Sequence, residues 1–155
     1  MNGLDWNVAM ELALTEARAA AGHGDVPVGA VLVDSSGAIV AADHNRREER
    51  SDPTAHAEIV AIREACQELG SFSLEGCEIY SSCEPCPMCL QACRQARIDL
   101  IVWGAPDPVM GACGSAVDAA EDPQTPPPIA HRGGLLAEDS KNLLREFFAN
   151  RRKSS

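Results

Sequence analysis

Two short stretches of this sequence contain the residue types that bind metal ions and transfer protons. The first is His56-Ala57-Glu58, and the second is Pro85-Cys86-Pro87-Met88-Cys89. One imidazole and two thiolates form a ligand set that suits Zn²⁺. Three protein ligands leave the fourth tetrahedral position to water, which is typical of a catalytic rather than a structural zinc site. We therefore predict that His56, Cys86 and Cys89 bind one zinc ion.

Glu58 follows the predicted histidine ligand by two residues, so its carboxylate can face the same water. Zinc lowers the pKa of a bound water towards ~7. Glu58 is therefore the candidate proton carrier, which takes the proton from the water and passes it to the substrate and the leaving group. A structural zinc site would need a fourth thiolate or imidazole, which Cys83 or Cys93 could supply only in a different geometry.

The length of 155 residues is typical of one domain, which we predict to span residues 1–155. Seven cysteines are an odd number, which fits a disulfide framework poorly, so we expect reduced thiols and a cytoplasmic protein. The five cysteines outside the metal motif are expected to pack as small core residues. We find no apolar stretch long enough to span a membrane and no signal peptide.

The formal net charge of −10 is unfavourable for nucleic-acid binding, because contacts to phosphates need positive charge. Arginines nevertheless cluster at two places, before the histidine motif and near the C-terminus. These clusters are either two local basic patches on an acidic protein or ordinary solvated side chains. If the substrate is RNA, the candidate contacts are Arg46, Arg47, Arg151 and Arg152.

Apolar periodicity predicts the elements that position these residues. Residues 5–22 read as an amphipathic helix with Asp5 as its N-cap. Residues 26–33 and 39–42 are predicted to form two antiparallel strands joined by a hairpin turn. Gly29, within the first strand, indicates either a close approach of another group or a β-bulge.

A second helix, over residues 55–69, is predicted to carry His56 and Glu58 in its first turn. The unpaired N–H groups and the dipole of that helix end favour an anionic Glu58. The predicted buried stripe of this helix consists of Ile59, Ile62, Cys66 and Leu69.

A predicted βαβ unit carries the cysteine ligands. It consists of a strand over residues 77–81, a helix with Pro85 at its first position, and a strand over residues 98–103. Cys86 and Cys89 lie one helical turn apart, so both sulfurs can point the same way. The two strands should be parallel, and the metal should lie between two helix N-termini at the carboxyl ends of the strands.

The remaining sequence is read as loops and one more helix. Residues 104–130 contain two loop-like stretches, and residues 138–152 form the last predicted helix. Its inward side chains are predicted to be Leu143, Leu144, Phe147 and Phe148. The three histidines outside the motif are expected at the surface or in loops; they are His23, His44 and His131.

The combination H-x-E with P-C-x-x-C resembles the signature of the zinc nucleobase deaminases, which replace an exocyclic amino group by oxygen. The flanking blocks at residues 25–33, 45–46, 52–58 and 111–115, and the ending Phe147-Phe148…Arg151-Arg152, look like bacterial tRNA-specific adenosine deaminases. This resemblance implies an α/β fold of the cytidine deaminase type, a three-layer α/β/α sandwich with a central five-stranded mixed sheet. It also implies a homodimer with one zinc ion per subunit, and conversion of adenosine to inosine at the wobble position of a tRNA anticodon.

The resemblance further implies three substrate contacts. Asn45 matches an asparagine that hydrogen-bonds the flipped base, Ala57 matches a residue whose backbone contacts it, and Asp107 matches a loop aspartate that touches the anticodon backbone. Ser82 and Cys83 depart from the Thr-Leu of the tRNA enzymes. We predict that both residues form part of the wall of the substrate pocket.

Two alternative functions follow from the same residues. Residues 82–90 look like bacterial guanine deaminases, so the alternative substrate is a free base or nucleoside, with guanine first and cytosine or cytidine next. A catalytically silent deaminase-like subunit that binds RNA or a partner is a third hypothesis. The presence of Glu58 is evidence against this third hypothesis.

Overall fold

The computed structural model describes residues 4–154, so the first three residues and the last residue of the predicted domain lie outside the described part. Within these residues there are five helices and five strands. In order they are α1 (Trp6–Gly22), β1 (Gly29–Val33), β2 (Ile39–His44), α2 (Arg47–Arg50), α3 (Ala57–Leu69), β3 (Glu78–Cys83), α4 (Pro87–Gln95), β4 (Leu100–Ala105), β5 (Ala130–Arg132) and α5 (Ala137–Ser154).

The five strands form one mixed sheet in the order β2-β1-β3-β4-β5. Strand β1 pairs antiparallel with β2 and β3, whereas β3 with β4 and β4 with β5 pair parallel. Helices α1 and α5 contact each other and pack on one face of the sheet, and α3 and α4 cover the other face. The three-layer α/β/α sandwich and the parallel βαβ unit are therefore confirmed.

Strand β1 is buried over its whole length because both of its faces are covered. Ala30 and Leu32 belong to the core beneath α3 and α4, while Val31 and Val33 belong to the core beneath α1. This alternation follows from the two-residue period of a strand. The sheet thus separates two apolar cores.

Helix α1 approaches β1 so closely that Gly29 has no room for a side chain. A Cβ atom there would lie 1.9 Å from the carbonyl oxygen of Ala13 and 2.7 Å from the nitrogen of Ala17. Of the two readings of Gly29, the close approach is therefore correct. The irregularity of β1 lies elsewhere, between Leu32 and Val33.

Several predicted boundaries were wrong by a few residues. Strand β1 begins at Gly29 because the backbone of residues 26–28 bonds instead to the Asn45 region: the Asn45 amide donates to the Val26 carbonyl and the Asn45 backbone N–H donates to the Val28 carbonyl. Strands β3 and β4 begin one and two residues later than predicted. Strand β5 was expected only from the family resemblance.

Helix α2 was not predicted, because Arg47-Glu48-Glu49-Arg50 has no apolar periodicity. The helix forms where the buried carboxylate of Asp25 accepts hydrogen bonds from the backbone N–H groups of Glu48 (2.7 Å) and Glu49 (3.1 Å). These two N–H groups belong to the first turn, which has no intrahelical acceptor. A residue 23 positions earlier in the chain therefore caps this helix.

The predicted buried stripe of α3 was wrong. Ile59, Ile62 and Cys66 are half-buried, and Leu69 is 42% exposed. The buried face is made instead of smaller residues and one acid: Ala57, Glu58, Val60, Ala61 and Ala65. Small side chains allow the helix to lie close to the sheet, so the larger residues occupy the flanks.

Helix α5 packs less deeply than predicted. Leu143, Leu144 and Phe147 are half-buried, and the prediction that Phe148 faces inward was wrong, since it is 41% exposed. In the described residues all seven cysteines are free; Cys77, Cys93 and Cys113 are buried, as expected of core residues. No helix within residues 4–154 has both the length and the apolar character needed to cross a membrane.

The close contact at Gly29 predicts that Gly29→Ala lowers the free energy of unfolding by about 2 kcal/mol, since α1 must move away from the sheet. The measurement is urea denaturation. Gly22→Ala is the matched control, because no atom lies within 4 Å of a Cβ at this helical position. The control should be neutral or stabilise by up to about 1 kcal/mol. Equal stability of Gly29→Ala and the native protein would contradict the packing described.

Candidate active site

Two helix N-termini converge at the site. His56 is the N-cap residue of α3 and Cys86 is the N-cap residue of α4, and both have extended backbone angles. Neither side chain makes a capping hydrogen bond, so both project beyond their helix ends. Two predictions were therefore wrong by one or two residues: His56 precedes the first turn of α3, and Pro87 rather than Pro85 occupies the first helical position of α4.

The three predicted ligand atoms meet at distances suited to a metal ion. His56 Nδ1 lies 3.6 Å from Cys86 Sγ and 3.5 Å from Cys89 Sγ. Ligands around a tetrahedral zinc, with Zn–S ~2.3 Å and Zn–N ~2.0 Å, would have nitrogen and sulfur about 3.5 Å apart. The donor set and its spacing therefore fit zinc.

The electrostatics of this cluster also suit a cation. A hydrogen bond from the Cys89 thiol lowers the pKa of Cys86 to about 4, and the same bond raises the pKa of Cys89. The hydrogen bond with Cys86 raises the pKa of His56. Thiolates and a neutral imidazole are the forms that bind a metal ion, and metal binding releases the protons that these groups otherwise hold.

Glu58 lies in the first turn of α3 and is only 4% exposed. The helix end was expected to favour an anionic Glu58, but burial has the larger effect. Burial raises the pKa of its carboxyl to about 7, because removal from water disfavours the charged form. A carboxyl group with a pKa near neutrality can both accept and release a proton under ordinary conditions.

A cavity of about 360 Å³ opens above these residues. Its lining is drawn from the helix N-termini and from the loops around residues 26–28, 45–47 and 107–110. The residues that line it are Val26, Val28, Asn45, Arg47, His56, Ala57, Glu58, Cys83, Glu84, Cys86, Asp107 and Met110. Four of the five predicted substrate contacts are therefore brought together with the ligand cluster.

Asn45 has a fixed orientation at the wall of this cavity. Its Nδ2 donates to the carbonyl oxygen of Val26 at 3.2 Å, and its Oδ1 accepts from the backbone N–H of Arg47 at 3.2 Å. The residue is 6% exposed. An amide held at both ends presents its remaining donor and acceptor capacity in one direction.

Three further predicted contacts differ in what they can offer a substrate. Ala57 is fully buried at the start of α3. Burial raises the pKa of the half-buried Cys83 to about 12, so its thiol stays neutral. Asp107 Oδ1 accepts hydrogen bonds from the backbone N–H groups of Val109 and Met110, both at 3.0 Å, and so also shapes its own loop.

Ser82 does not line the cavity. Its side chain is fully buried, and its hydroxyl oxygen accepts a hydrogen bond from the backbone N–H of Gly29 at 3.0 Å. Its carbonyl oxygen accepts from the hydroxyl of Ser140 at 2.6 Å. Ser82 therefore joins β3 to β1 and α5.

The four candidate arginines have different surroundings. Arg47 lines the cavity, whereas Arg46 is held by Asp43 (2.7 Å) and Glu49 (2.6 Å). Arg151 lies over the ring of Phe147, 5.2 Å from its centroid. Arg152 is exposed on the last turns of α5, which also lie away from the cavity lining.

A second, larger groove of about 570 Å³ lies between the end of α1 and α5. Arg18 and Arg151 contribute to its lining, together with Phe147 and Asn150. None of the predicted metal ligands faces this groove. We therefore place the chemistry in the smaller cavity.

Sequence reasoning missed three buried polar residues around the site: Asp25, His44 and Glu84. The prediction that His44 is a surface residue was wrong, since it is 6% exposed and its Nδ1 lies 2.8 Å from a carboxylate oxygen of Glu16. No local pattern identifies Asp25 or His44, because their partners lie more than 20 positions away. Glu84 offered one signal, its place directly before the Pro-Cys motif.

The other two histidines also have contacts that the surface prediction did not anticipate. His23 Nε2 lies 2.9 Å from His44 Nε2, and His131 accepts a hydrogen bond from the indole N–H of Trp103 at 3.3 Å. Both are half-buried. Neither lines the cavity.

The fold and the His-Cys-Cys cluster beside a buried glutamate define a deaminase-type site. Residues 5–105 match the protein family described as "Cytidine and deoxycytidylate deaminase zinc-binding region". The chain belongs to this family and is a hydrolytic deaminase.

Individual relatives are similar over most of the chain. It is 44% identical to a tRNA-specific adenosine deaminase of Agrobacterium fabrum, over 92% of this chain and 93% of the relative. A solved structure from studies of A-to-I editing by tRNA:A34 deaminases superposes with a TM-score of 0.85 at 43% identity, covering 88% of this chain and 99% of the other. The guanine deaminase of Nitrosomonas europaea superposes with a TM-score of 0.80 at 25% identity, covering 92% and 84%.

Proposed function

We propose that this protein is a zinc-dependent deaminase that converts adenosine to inosine at the wobble position of a tRNA anticodon. The observation that carries the chemistry is the cluster of His56, Cys86 and Cys89. Two of these residues, His56 and Cys86, line one cavity together with the buried Glu58. The similarity to tRNA-specific adenosine deaminases over nine-tenths of the chain supports the choice of substrate.

In this proposal His56, Cys86 and Cys89 hold one zinc ion per subunit. Zinc would supply Lewis-acid activation of water. Glu58 accepts one proton from the attacking water and delivers it to the purine ring nitrogen; a second transfer protonates the departing amino group. The C–N bond breaks, a C=O bond replaces it, and ammonia leaves, so that water is the only co-reactant.

The remaining cavity residues would orient the base. Asn45 offers the free capacity of its fixed amide, and Ala57 offers its backbone at the start of α3. Cys83 contributes a neutral thiol, and Asp107 lies on the loop at the rim. The cavity volume of about 360 Å³ lies at the lower end of the range of small-molecule pockets, which suits a ligand as small as a nucleobase.

Guanine is the second candidate substrate, favoured by the similarity to a guanine deaminase structure and by residues 82–90. The side chain of Ser82 is turned away from the cavity, so only Cys83 of the pair can contact a base. This weakens the argument for guanine. A catalytically silent subunit is less compatible with the intact Glu58 in the cavity.

We further propose that residues 1–155 form one domain that assembles as a cytoplasmic homodimer. Four exposed apolar side chains on α4 and the loop after β4 support an interface near the cavity; they are Met88, Val109, Met110 and Val117. A reducing compartment would keep the thiols of Cys86 and Cys89 available for the metal.

The substrate proposal predicts inosine at the wobble position when the protein is incubated with an anticodon stem-loop. Ammonia release from free guanine, cytosine and adenosine should be negligible under the same conditions. Glu58→Gln, which keeps the shape but loses the proton carrier, should lower turnover by at least about 10²-fold.

The stem-loop assay also separates the alternatives. Absence of inosine together with ammonia release from guanine would replace the tRNA proposal with the guanine one. An active Glu58→Gln variant would remove Glu58 from the mechanism. A variant without zinc would be uninformative about proton transfer, so metal content is measured on the same sample.

The ligand assignment predicts that Cys86→Ser purifies with well under one zinc per chain, because a hydroxyl is a poor replacement for a thiolate. The measurement is elemental analysis of purified protein. Cys66→Ser is the matched control, since Cys66 is half-buried at the other end of α3 and should leave one zinc bound. Stoichiometric zinc in Cys86→Ser would show that the ligands are misassigned.

Arg151 at the α1–α5 groove and its neighbour Arg152 at the end of α5 predict a salt-dependent interaction with RNA. Replacing Arg151 and Arg152 by Ala should weaken stem-loop binding and reduce the slope of log K against log[salt] by about 0.7–0.9 for each phosphate that is no longer neutralised. Arg63→Ala is the control, because Arg63 is exposed on α3 in the opposite layer. An unchanged slope in the double variant would mean that these arginines do not bind RNA phosphates.

A further inference from the structure

Glu84 is a buried carboxylate without a role in the proton transfer described above. It is 3% exposed and lies between β3 and the Pro-Cys motif. Its Oε1 accepts a hydrogen bond from the backbone N–H of Asp107 at 3.0 Å. Its Oε2 accepts from the backbone N–H groups of Cys113 at 2.9 Å and Ser115 at 3.2 Å.

These three donors belong to one segment, residues 107–115, which we call the rim loop. Asp107 and Met110 of the rim loop line the cavity. The loop has its own turn bonds, including those that Asp107 accepts from Val109 and Met110. Hydrogen bonds also join the rim loop to the segment that precedes the first cysteine ligand. Glu84 accepts three of them, and the Pro85 carbonyl accepts one from the Ala112 N–H at 2.9 Å.

The backbone of the rim loop is shaped to receive this carboxylate. A Cβ atom at Gly111 would lie 2.4 Å from the Cδ and 2.5 Å from the Oε1 of Glu84, and 2.5 Å from the carbonyl oxygen of Asp107. Gly111 is therefore required by the close approach of Glu84. The Glu84 carboxyl group thus packs directly against the backbone of Gly111.

We propose that Glu84 is a positioning residue for substrate recognition, which fixes the rim loop and so sets where Asp107 and Met110 meet the substrate. The inference rests on the proposed function of the cavity. Glu84 itself also lines the cavity, but both of its carboxylate oxygens are bonded to the rim loop, so we assign it the role of holding that loop and not of transferring a proton. Charge-assisted bonds to backbone N–H groups are among the stronger hydrogen bonds of proteins, which suits a residue that must hold a loop in one place.

The test compares Glu84→Gln and Gly111→Ala, which disturb the same contact from opposite sides. The Gln amide faces three N–H donors with only one oxygen, and the Ala methyl displaces the carboxylate. Both variants should retain one zinc per chain, raise KM by about ten-fold and change kcat by less than about three-fold. Glu121→Gln, an exposed acid outside the cavity lining, is the matched control and should leave both constants unchanged.

A double-mutant cycle distinguishes this positioning role from a purely structural one by measuring the coupling of two substitutions in KM. Asp107→Ala should raise KM in the native protein but have much less effect in the Glu84→Gln background, because the rim loop is already displaced. Additive effects of the two substitutions would overturn the proposal. A lowered kcat with unchanged KM, loss of zinc, or constants equal to those of the native protein in Glu84→Gln would also overturn it.

The kinetics are measured on whichever substrate the native protein turns over in the comparison of stem-loop and free bases. Failure of the stem-loop reaction thus tests the proposed function, whereas the KM and coupling measurements test Glu84. If guanine proves to be the substrate, the same KM effects are expected with guanine. Circular dichroism and urea denaturation of each variant identify any that fail to fold, and Glu84→Asp then serves as the milder variant, expected to show a smaller KM effect in the same direction.

Discussion

The site depends on the meeting of two N-cap residues from helices that follow different strands. His56 must reach the sulfurs of Cys86 and Cys89 although α3 follows β2 and α4 follows β3. Strand β1 lies between β2 and β3, and α3 packs on both β1 and β2. The small residues on the buried face of α3 allow the close packing that brings its N-terminus to that of α4. The ligand geometry is thus a consequence of sheet order and helix packing.

Three buried carboxyl groups, those of Asp25, Glu58 and Glu84, differ in how far hydrogen bonds from backbone N–H groups offset the cost of burial. Asp25 accepts two N–H bonds at the start of α2, and Glu84 accepts three from the rim loop. For Glu58, by contrast, burial outweighs its hydrogen bonds and raises its pKa to about 7. The first two acids hold loops in place, whereas Glu58 remains poised to exchange a proton.

The grouping of the candidate ligands and Glu58 could be predicted from sequence because it depends on residue types at short spacing. His56, Glu58, Cys86 and Cys89 are identified by two motifs, and Gly29 by its place within an apolar strand. Helix α2 could not be predicted, because its stability comes from Asp25, which is remote in sequence. The sequence also did not predict which way the Ser82 side chain points. Side chains of successive strand residues point to opposite faces, so Cys83 can line the cavity while Ser82 points away from it. Local patterns define elements, while long-range hydrogen bonds determine which polar residues face the cavity.

The net charge of −10 is a weaker objection to an RNA substrate when the positions of the acidic side chains are considered. Asp25, Glu58 and Glu84 are buried, and Asp43 is paired with Arg46, so these carboxylates are not presented to a polyanion at the surface. At physiological ionic strength the Debye length is about 8 Å, so an exposed charge acts mainly on its immediate surroundings. Local basic groups such as those of the α1–α5 groove can then favour phosphates beside an acidic surface elsewhere. The total charge bears more on the rate of long-range encounter than on the affinity of the bound complex.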